Sequence, residues 1–322
     1  MSRIPDMRVA FPILASTLLL ACGCGKTPEA QLPTIENSES KRPRSPEEVA
    51  KPHLAKADLE CERAIEEQLQ SLNVFFAESK KNTRGFADDA LGWGSKLRLI
   101  QDALPFTRSD RHKEFIKNKF EETIFSREQL EVSVKQVVKG YLARVRSIES
   151  KMLVELRADA GDFPAAYLLT QLDDKQLQAT YDTALAKTIE STGGKLQEDI
   201  AAGIVSTIAG EVLAQVAIRL GVRAGILGAG AATGTFTLGV GLVVGLIVDE
   251  IVSRVWDWYS DPKANLAGEI DKKLDEMNRL LVDGSTDVKG LRERLREFSR
   301  DRSAIRTSIV IRMLRPPGGA QK

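Results

Sequence analysis

The sequence contains few of the residues from which most catalytic and metal sites are built. Of its 322 residues, two are histidine and three are cysteine, and aromatic residues make up only 6% of the chain. Neither His53 nor His112 has a partner at a spacing typical of metal binding, such as His-Glu-x-x-His, and both are expected at the surface. The sequence therefore predicts no metal site, no cofactor and no enzyme activity.

The chain also lacks an excess of charge of either sign. Its 46 lysine and arginine residues are nearly balanced by 45 aspartate and glutamate residues, so nucleic-acid binding is not expected. Locally, basic residues outnumber acidic ones in residues 289–315. A helix with this composition either lies on an anionic membrane surface or presents a solvated basic face on a bundle.

Patterns typical of β-strands are nearly absent, and the patterns that are present are helical. A hydrophobic content of 43% is sufficient for a core, and apolar residues recur in steps of three and four. The longest such series follows a capping-box pattern at Ser126 and Gln129, and it comprises Leu130, Val134, Val137, Tyr141, Val145, Ile148, Met152 and Leu156. We predict an all-α fold, an elongated helical bundle with a central Gly-rich apolar helical hairpin.

The first residues have the layout of a signal peptide. Two arginines precede an apolar run, and the run ends in Leu19-Leu20-Ala21-Cys22. These four residues resemble the lipobox of bacterial lipoproteins. The resemblance implies that residues 1–21 are removed and that Cys22 becomes the acylated first residue of a cell-envelope lipoprotein, in the outer membrane if the cell has one. An ordinary secretory signal that is cut nearby is the alternative.

The remaining chain divides by composition. Residues 22–44 mix Pro, Ser, Glu and Lys without periodicity, which is typical of a flexible tether. Ser45 and Pro46 then have the pattern of a helix start. We predict an N-terminal helical bundle over residues 45–195, the apolar hairpin over 196–260, a C-terminal helical pair over 261–315 and a disordered tail over 316–322. Within the pair, Asp261 caps one helix and Ser285 opens the last.

The Gly-rich segment is the most unusual part of the sequence. Residues 225–248 carry no charge, which matches the length needed to cross a bilayer. Small residues one helical turn apart form a flat face for close helix packing, and they include Gly230, Gly234, Gly241 and Gly245. Three aromatic residues follow as expected anchors at a membrane interface, namely Trp256, Trp258 and Tyr259. However, a turn near residue 233 would leave a short helix, which is more typical of a buried helix or a re-entrant hairpin.

The segment before the glycines carries a narrow polar stripe. Thr207, Glu211, Gln215 and Arg219 lie at successive fourth positions of an otherwise apolar helix. If the helix is buried, this stripe is expected to be its one solvent-exposed edge. An inserted helix would turn it towards a pore or a partner, because isolated charges in lipid are costly.

A helical bundle interrupted by an apolar hairpin resembles the architecture of helical pore-forming toxins, although no residue motif of that family is present. Two functions follow as hypotheses. In the first, a lipid-anchored envelope protein binds or inserts into membrane through residues 200–259. In the second, a soluble helical interaction module is attached to the membrane only through its lipid, and the hairpin is its buried core. The expected partner is membrane lipid, through acylated Cys22; no protein partner is indicated.

Overall fold

A computed structural model describes residues 45–92, 111–160, 169, 171–191, 199–223, 245 and 261–315. The fold of these residues is all-α. In chain order the elements are α1 (Pro46–Lys80), α2 (Thr83–Ala90), α3 (Arg111–Thr123), α4 (Arg127–Asp159), α5 (Asp174–Ser191), α6 (Asp199–Arg223), α7 (Pro262–Val282), β1 (Gly284–Ser285), β2 (Val288–Lys289) and α8 (Leu291–Leu314).

Capping boxes start the two longest helices, at Ser126, where the sequence predicts one, and at Ser45, where the sequence predicts a helix start. At α1 the Glu48 N–H donates to Ser45 Oγ at 3.1 Å, and the Ser45 N–H donates to Glu48 Oε2 at 2.7 Å. Ser126 and Gln129 form the same reciprocal pair at the start of α4. Each box satisfies two backbone N–H groups that the helix itself leaves without acceptors, so the start of the helix is fixed locally.

The core lies between α1, α4 and the C-terminal helices. The eight apolar residues of the predicted α4 series are all buried, and α4 makes its most extensive contact with α1. Helix α8 packs on α1, while α7 packs on α1 and α2. The described parts of residues 45–195 and 261–315 therefore share one hydrophobic core, and they belong to one compact unit.

The break between α1 and α2 is short, and one predicted helix start is wrong. Only Lys81 and Asn82 separate α1 from α2. The last helix begins at Leu291 rather than at Ser285, because residues 284–289 form a two-stranded antiparallel turn in which Gly284 pairs with Lys289. Gly284 has a φ of 78°, a left-handed conformation that glycine adopts without strain. This turn projects towards α6.

Candidate functional site: an apolar helix held by its polar stripe

Helix α6 is the one helix, among the described residues, that is long and apolar enough to cross a membrane. Its segment Ala201–Gly221 has a mean hydropathy of 1.6, yet only 33% of that stretch is buried within the protein. The core helix of a soluble protein can meet the same criteria of length and hydropathy. The contacts of α6 with the body therefore matter more than its composition.

The two halves of α6 differ in burial. In the C-terminal half, one face is buried against α4, with further contacts to α7, α8 and β2, and its buried residues are Ala209, Val212, Leu213, Val216 and Ala217. In the N-terminal half, most of the surface is exposed, including Ala201, Ala202, Gly203, Ser206 and Thr207. The helix is thus docked on the body by its second half.

Three residues of the predicted polar stripe make contacts with the turn between α7 and α8 and with the first turn of α8. The Arg219 guanidinium is 2.8 Å from Asp287 Oδ2. The Gln215 side-chain oxygen accepts a hydrogen bond of 3.2 Å from the backbone N–H of Lys289. Glu211 forms an ion pair of 3.0 Å with Arg294. The stripe is therefore a docking edge within the protein, while its fourth member, Thr207, is exposed.

Each of the two arginines at this edge has an N–H donor without an acceptor. The Nε atoms of Arg219 and Arg294 are both buried, and neither has a hydrogen-bond partner among the described residues. A buried donor without an acceptor typically costs about 1–3 kcal/mol. The docked arrangement of α6 consequently contains polar groups that another acceptor could satisfy better.

Most of the other sequence-predicted site residues lie outside the described residues: Cys22, Gly230, Gly234, Gly241, Trp256, Trp258 and Tyr259. Gly245 is described as helical and half-buried. No described atom lies within 4 Å of a Cβ built on Gly245. Gly245 therefore makes no close helix contact with the described residues, and the predicted glycine face as a whole stays a prediction.

The basic residues of α8 pair with acidic residues of the body. Arg292 lies 2.9 Å from Glu66, and Arg296 lies 3.2 Å from Glu62, both on α1. Just beyond the helix, Arg315 pairs with Glu47 at the start of α1 at 3.1 Å. Much of the positive charge of this helix is therefore neutralised by α1, which leaves less of it to attract an anionic membrane surface.

A buried ionic cluster joins α8 to α4 and α1, and the sequence did not indicate it. Arg302 donates two hydrogen bonds to Glu149, of 2.9 and 2.7 Å. Arg306 donates to the same carboxylate at 3.3 Å and also pairs with Asp58 of α1. The side chains of Arg306 and Glu149 are each only 1% exposed. The one available signal was the position of Glu149 midway between Val145 and Leu153, on the apolar face of α4.

Cys61 and two tyrosines lie around this cluster. The Cys61 sulfur is 3.8 Å from Nη1 of Arg306, and burial raises the pKa of its thiol. Burial likewise raises the pKa of Tyr141 and of Tyr181. These groups stay protonated at neutral pH, so the arrangement is a packed polar core and provides no thiolate nucleophile.

The surface position predicted for His53 is wrong. His53 is only 9% exposed, and its Nε2 atom lies 2.9 Å from a carboxylate oxygen of Asp159 at the end of α4. The antiparallel packing of α1 on α4 places these residues together although they are distant in sequence. The side chain of His112 lies outside the described residues.

Comparisons with known proteins find no matching family model, no similar curated protein and no similar solved structure.

Proposed function

We propose that this chain is a lipid-anchored protein of the cell envelope, whose helical body binds or inserts into the membrane through α6 and the Gly-rich apolar segment that follows it. The observation that supports this most strongly is the incomplete burial of α6, an apolar helix of membrane-spanning length with an exposed N-terminal half. Transfer of exposed apolar surface from water into lipid is favourable and increases with the area transferred.

With the proposed lipid anchor, a modest affinity of α6 for lipid is sufficient to keep the helix bound to the membrane. Acyl chains on Cys22 would hold the body at the bilayer through the tether of residues 22–44. A tethered group meets its binding surface at a high effective concentration, up to about the millimolar range for short linkers. The anchor therefore strengthens the affinity that α6 itself has for lipid.

A second candidate function is a lipid-tethered soluble interaction module in which α6 never leaves the body. Two observations favour it. The polar stripe of α6 is bound within the protein by Asp287, Lys289 and Arg294, and Val212 and Val216 are fully buried. In this case the hydropathy of α6 reflects only its role as a core helix.

A fluorescent probe distinguishes the two functions. An environment-sensitive fluorophore is attached at Thr207→Cys on α6, or at Leu59→Cys on α1 as the matched control, in a chain that also carries Cys22→Ala and Cys24→Ala. Both positions are exposed, Leu59 by 53%, and the remaining Cys61 is buried. With anionic phospholipid vesicles, the membrane function predicts a shift to shorter emission wavelength at position 207 only. Unshifted emission at both positions favours the soluble module.

A further inference from the structure

We propose that three polar contacts of α6 form a latch, and that an anionic phospholipid surface opens it by competing for the two arginines. The latch consists of Arg219 with Asp287, Gln215 with the backbone N–H of Lys289, and Glu211 with Arg294. This inference rests on the proposed function, and it adds the step by which a docked helix becomes available to the membrane.

The latch lies along a single seam. Its three members on α6 are spaced one helical turn apart, so they lie on one edge of the helix. Their partners all belong to residues 287–294, which comprise the end of the β1–β2 turn and the first turn of α8. A change at this one site therefore acts on all the polar contacts that hold α6 to the turn.

The ion pairs of the latch are accessible to solvent. Asp287 has a side chain that is 62% exposed, and Arg219, Glu211 and Arg294 are all partly exposed. Exposed ion pairs change an equilibrium by about fivefold or less, and salt and competing charges weaken them further. The contacts thus favour the docked position of α6 without locking it.

Phospholipid phosphate offers the two arginines better acceptors than the latch does. In the docked state Arg219 and Arg294 each keep a buried Nε–H without a partner among the described residues. A guanidinium binds a phosphate through two parallel N–H donors, and Nε–H is one of the donors available for that geometry. Head groups of an anionic bilayer would therefore draw both arginines away from Asp287 and Glu211.

Contacts that do not involve α6 hold the other helices together. The contacts of α8 with α4 include the buried pairs of Glu149 with Arg302 and Arg306, which are far less accessible than the latch. The box at Ser45 and the packing of α1 on α4 do not involve α6. Release of α6 also separates its buried apolar face from α4. Opening the latch is therefore one step of the release, and it leaves the contacts among the other helices in place.

The first test measures amide hydrogen exchange of the full chain in the absence of vesicles. Asp287→Lys replaces the attraction to Arg219 with repulsion, and the sequence of α6 stays unchanged. Asp275→Lys is the matched control, because Asp275 is 63% exposed and pairs with Lys80 of α1, away from α6. We expect exchange of residues 209–219 to become about three- to tenfold faster with Asp287→Lys only. The added Arg219→Glu restores the opposite charges and should restore slow exchange.

The second test measures binding of the same variants to vesicles that contain anionic phospholipid. The latch predicts tighter binding for Asp287→Lys than for Asp275→Lys, although both add the same charge. With Arg219→Glu added, the net charge is that of the parent, and binding should be no tighter than that of the parent. Unchanged exchange in Asp287→Lys overturns the latch, even if the parent chain binds vesicles. Faster exchange without tighter binding overturns its coupling to the membrane. A parent chain and variants that all fail to bind vesicles contradict the proposed function itself.

Discussion

Arg302 and Glu149 form two parallel hydrogen bonds across the interface of α8 and α4, at 2.9 and 2.7 Å. The same carboxylate accepts a third hydrogen bond from Arg306, whose side chain is almost completely buried. Two arginines of α8 therefore share one carboxylate of α4, and Arg306 also pairs with Asp58 of α1. Because buried charges are costly to leave unpaired, Glu149 fixes which face of α8 is turned towards α4 while α8 packs on α1.

Glu149→Gln is expected to reduce the free energy of unfolding by about 3–5 kcal/mol, because it leaves two arginines at the core without their shared carboxylate. Urea denaturation measures the change. The control is Glu67→Gln, since Glu67 is largely exposed and pairs with Arg144 only at 3.9 Å; its expected effect is below about 0.5 kcal/mol. Equal effects of the two substitutions would show that the buried cluster contributes no more to stability than an exposed ion pair does.

The raised pKa values around the cluster predict a loss of stability at alkaline pH. Burial raises the pKa of Cys61 above its ordinary value of 9.0 and that of Tyr181 above its ordinary value of 10.0. The folded state therefore keeps protons that the unfolded state loses, so stability falls as the pH rises above about 9. Tyr181→Phe removes one of these groups. In urea denaturation at pH 8 to 11, its stability should fall less steeply than that of the parent; an equal slope would contradict this account.

Two glycines provide a matched pair with opposite expected effects. Gly268 lies inside α7, where an added Cβ has no described atom within 4 Å, so Gly268→Ala should stabilise the protein by about 0.5–1 kcal/mol. Gly284 has a φ of 78° and faces backbone atoms of Val288 and Gly290, so Gly284→Ala should destabilise it by about 1–3 kcal/mol. Thermal melting measures both. Destabilisation by Gly268→Ala, or tolerance of Gly284→Ala, would contradict the described geometry.

The lipobox resemblance predicts the chemical state of the mature N-terminus. We expect residues 1–21 to be removed and Cys22 to carry at least two acyl chains, because a single chain binds membranes only marginally. Mass spectrometry of the N-terminal peptide tests this directly. An unmodified Cys22, or cleavage at another residue, would place the anchor in doubt without affecting the arrangement of α1 to α8.

Local signals in the sequence were sufficient to predict the all-α class and several of the helix starts. Ser45 and Ser126 each cap their helix through residues three positions later, so their effect is visible in a short window. Ser285 has the same residue type, yet it lies in a strand, because Gly284 and the pairing with Val288 impose a turn. A capping residue alone does not distinguish these two cases.

The features that could not be predicted from the sequence are contacts between residues far apart in the chain. The polar stripe on α6 was predicted from its spacing, but its partner Asp287 is 68 positions away from Arg219, and no local pattern links them. The burial of Arg306 depends in the same way on Glu149 and Asp58, which belong to two other helices. Such pairs arise only when the packing of helices is known.

The most direct test of the proposed membrane role is flotation of the chain without its lipid. The Cys22→Ala variant, purified without detergent, is mixed with vesicles of zwitterionic lipid alone or with added anionic phospholipid and then centrifuged in a density gradient. We predict that the protein floats with the anionic vesicles, because its body binds membrane through α6. If it remains at the bottom of both gradients as a folded monomer, the body does not bind membrane and α6 is a core helix of a tethered soluble module.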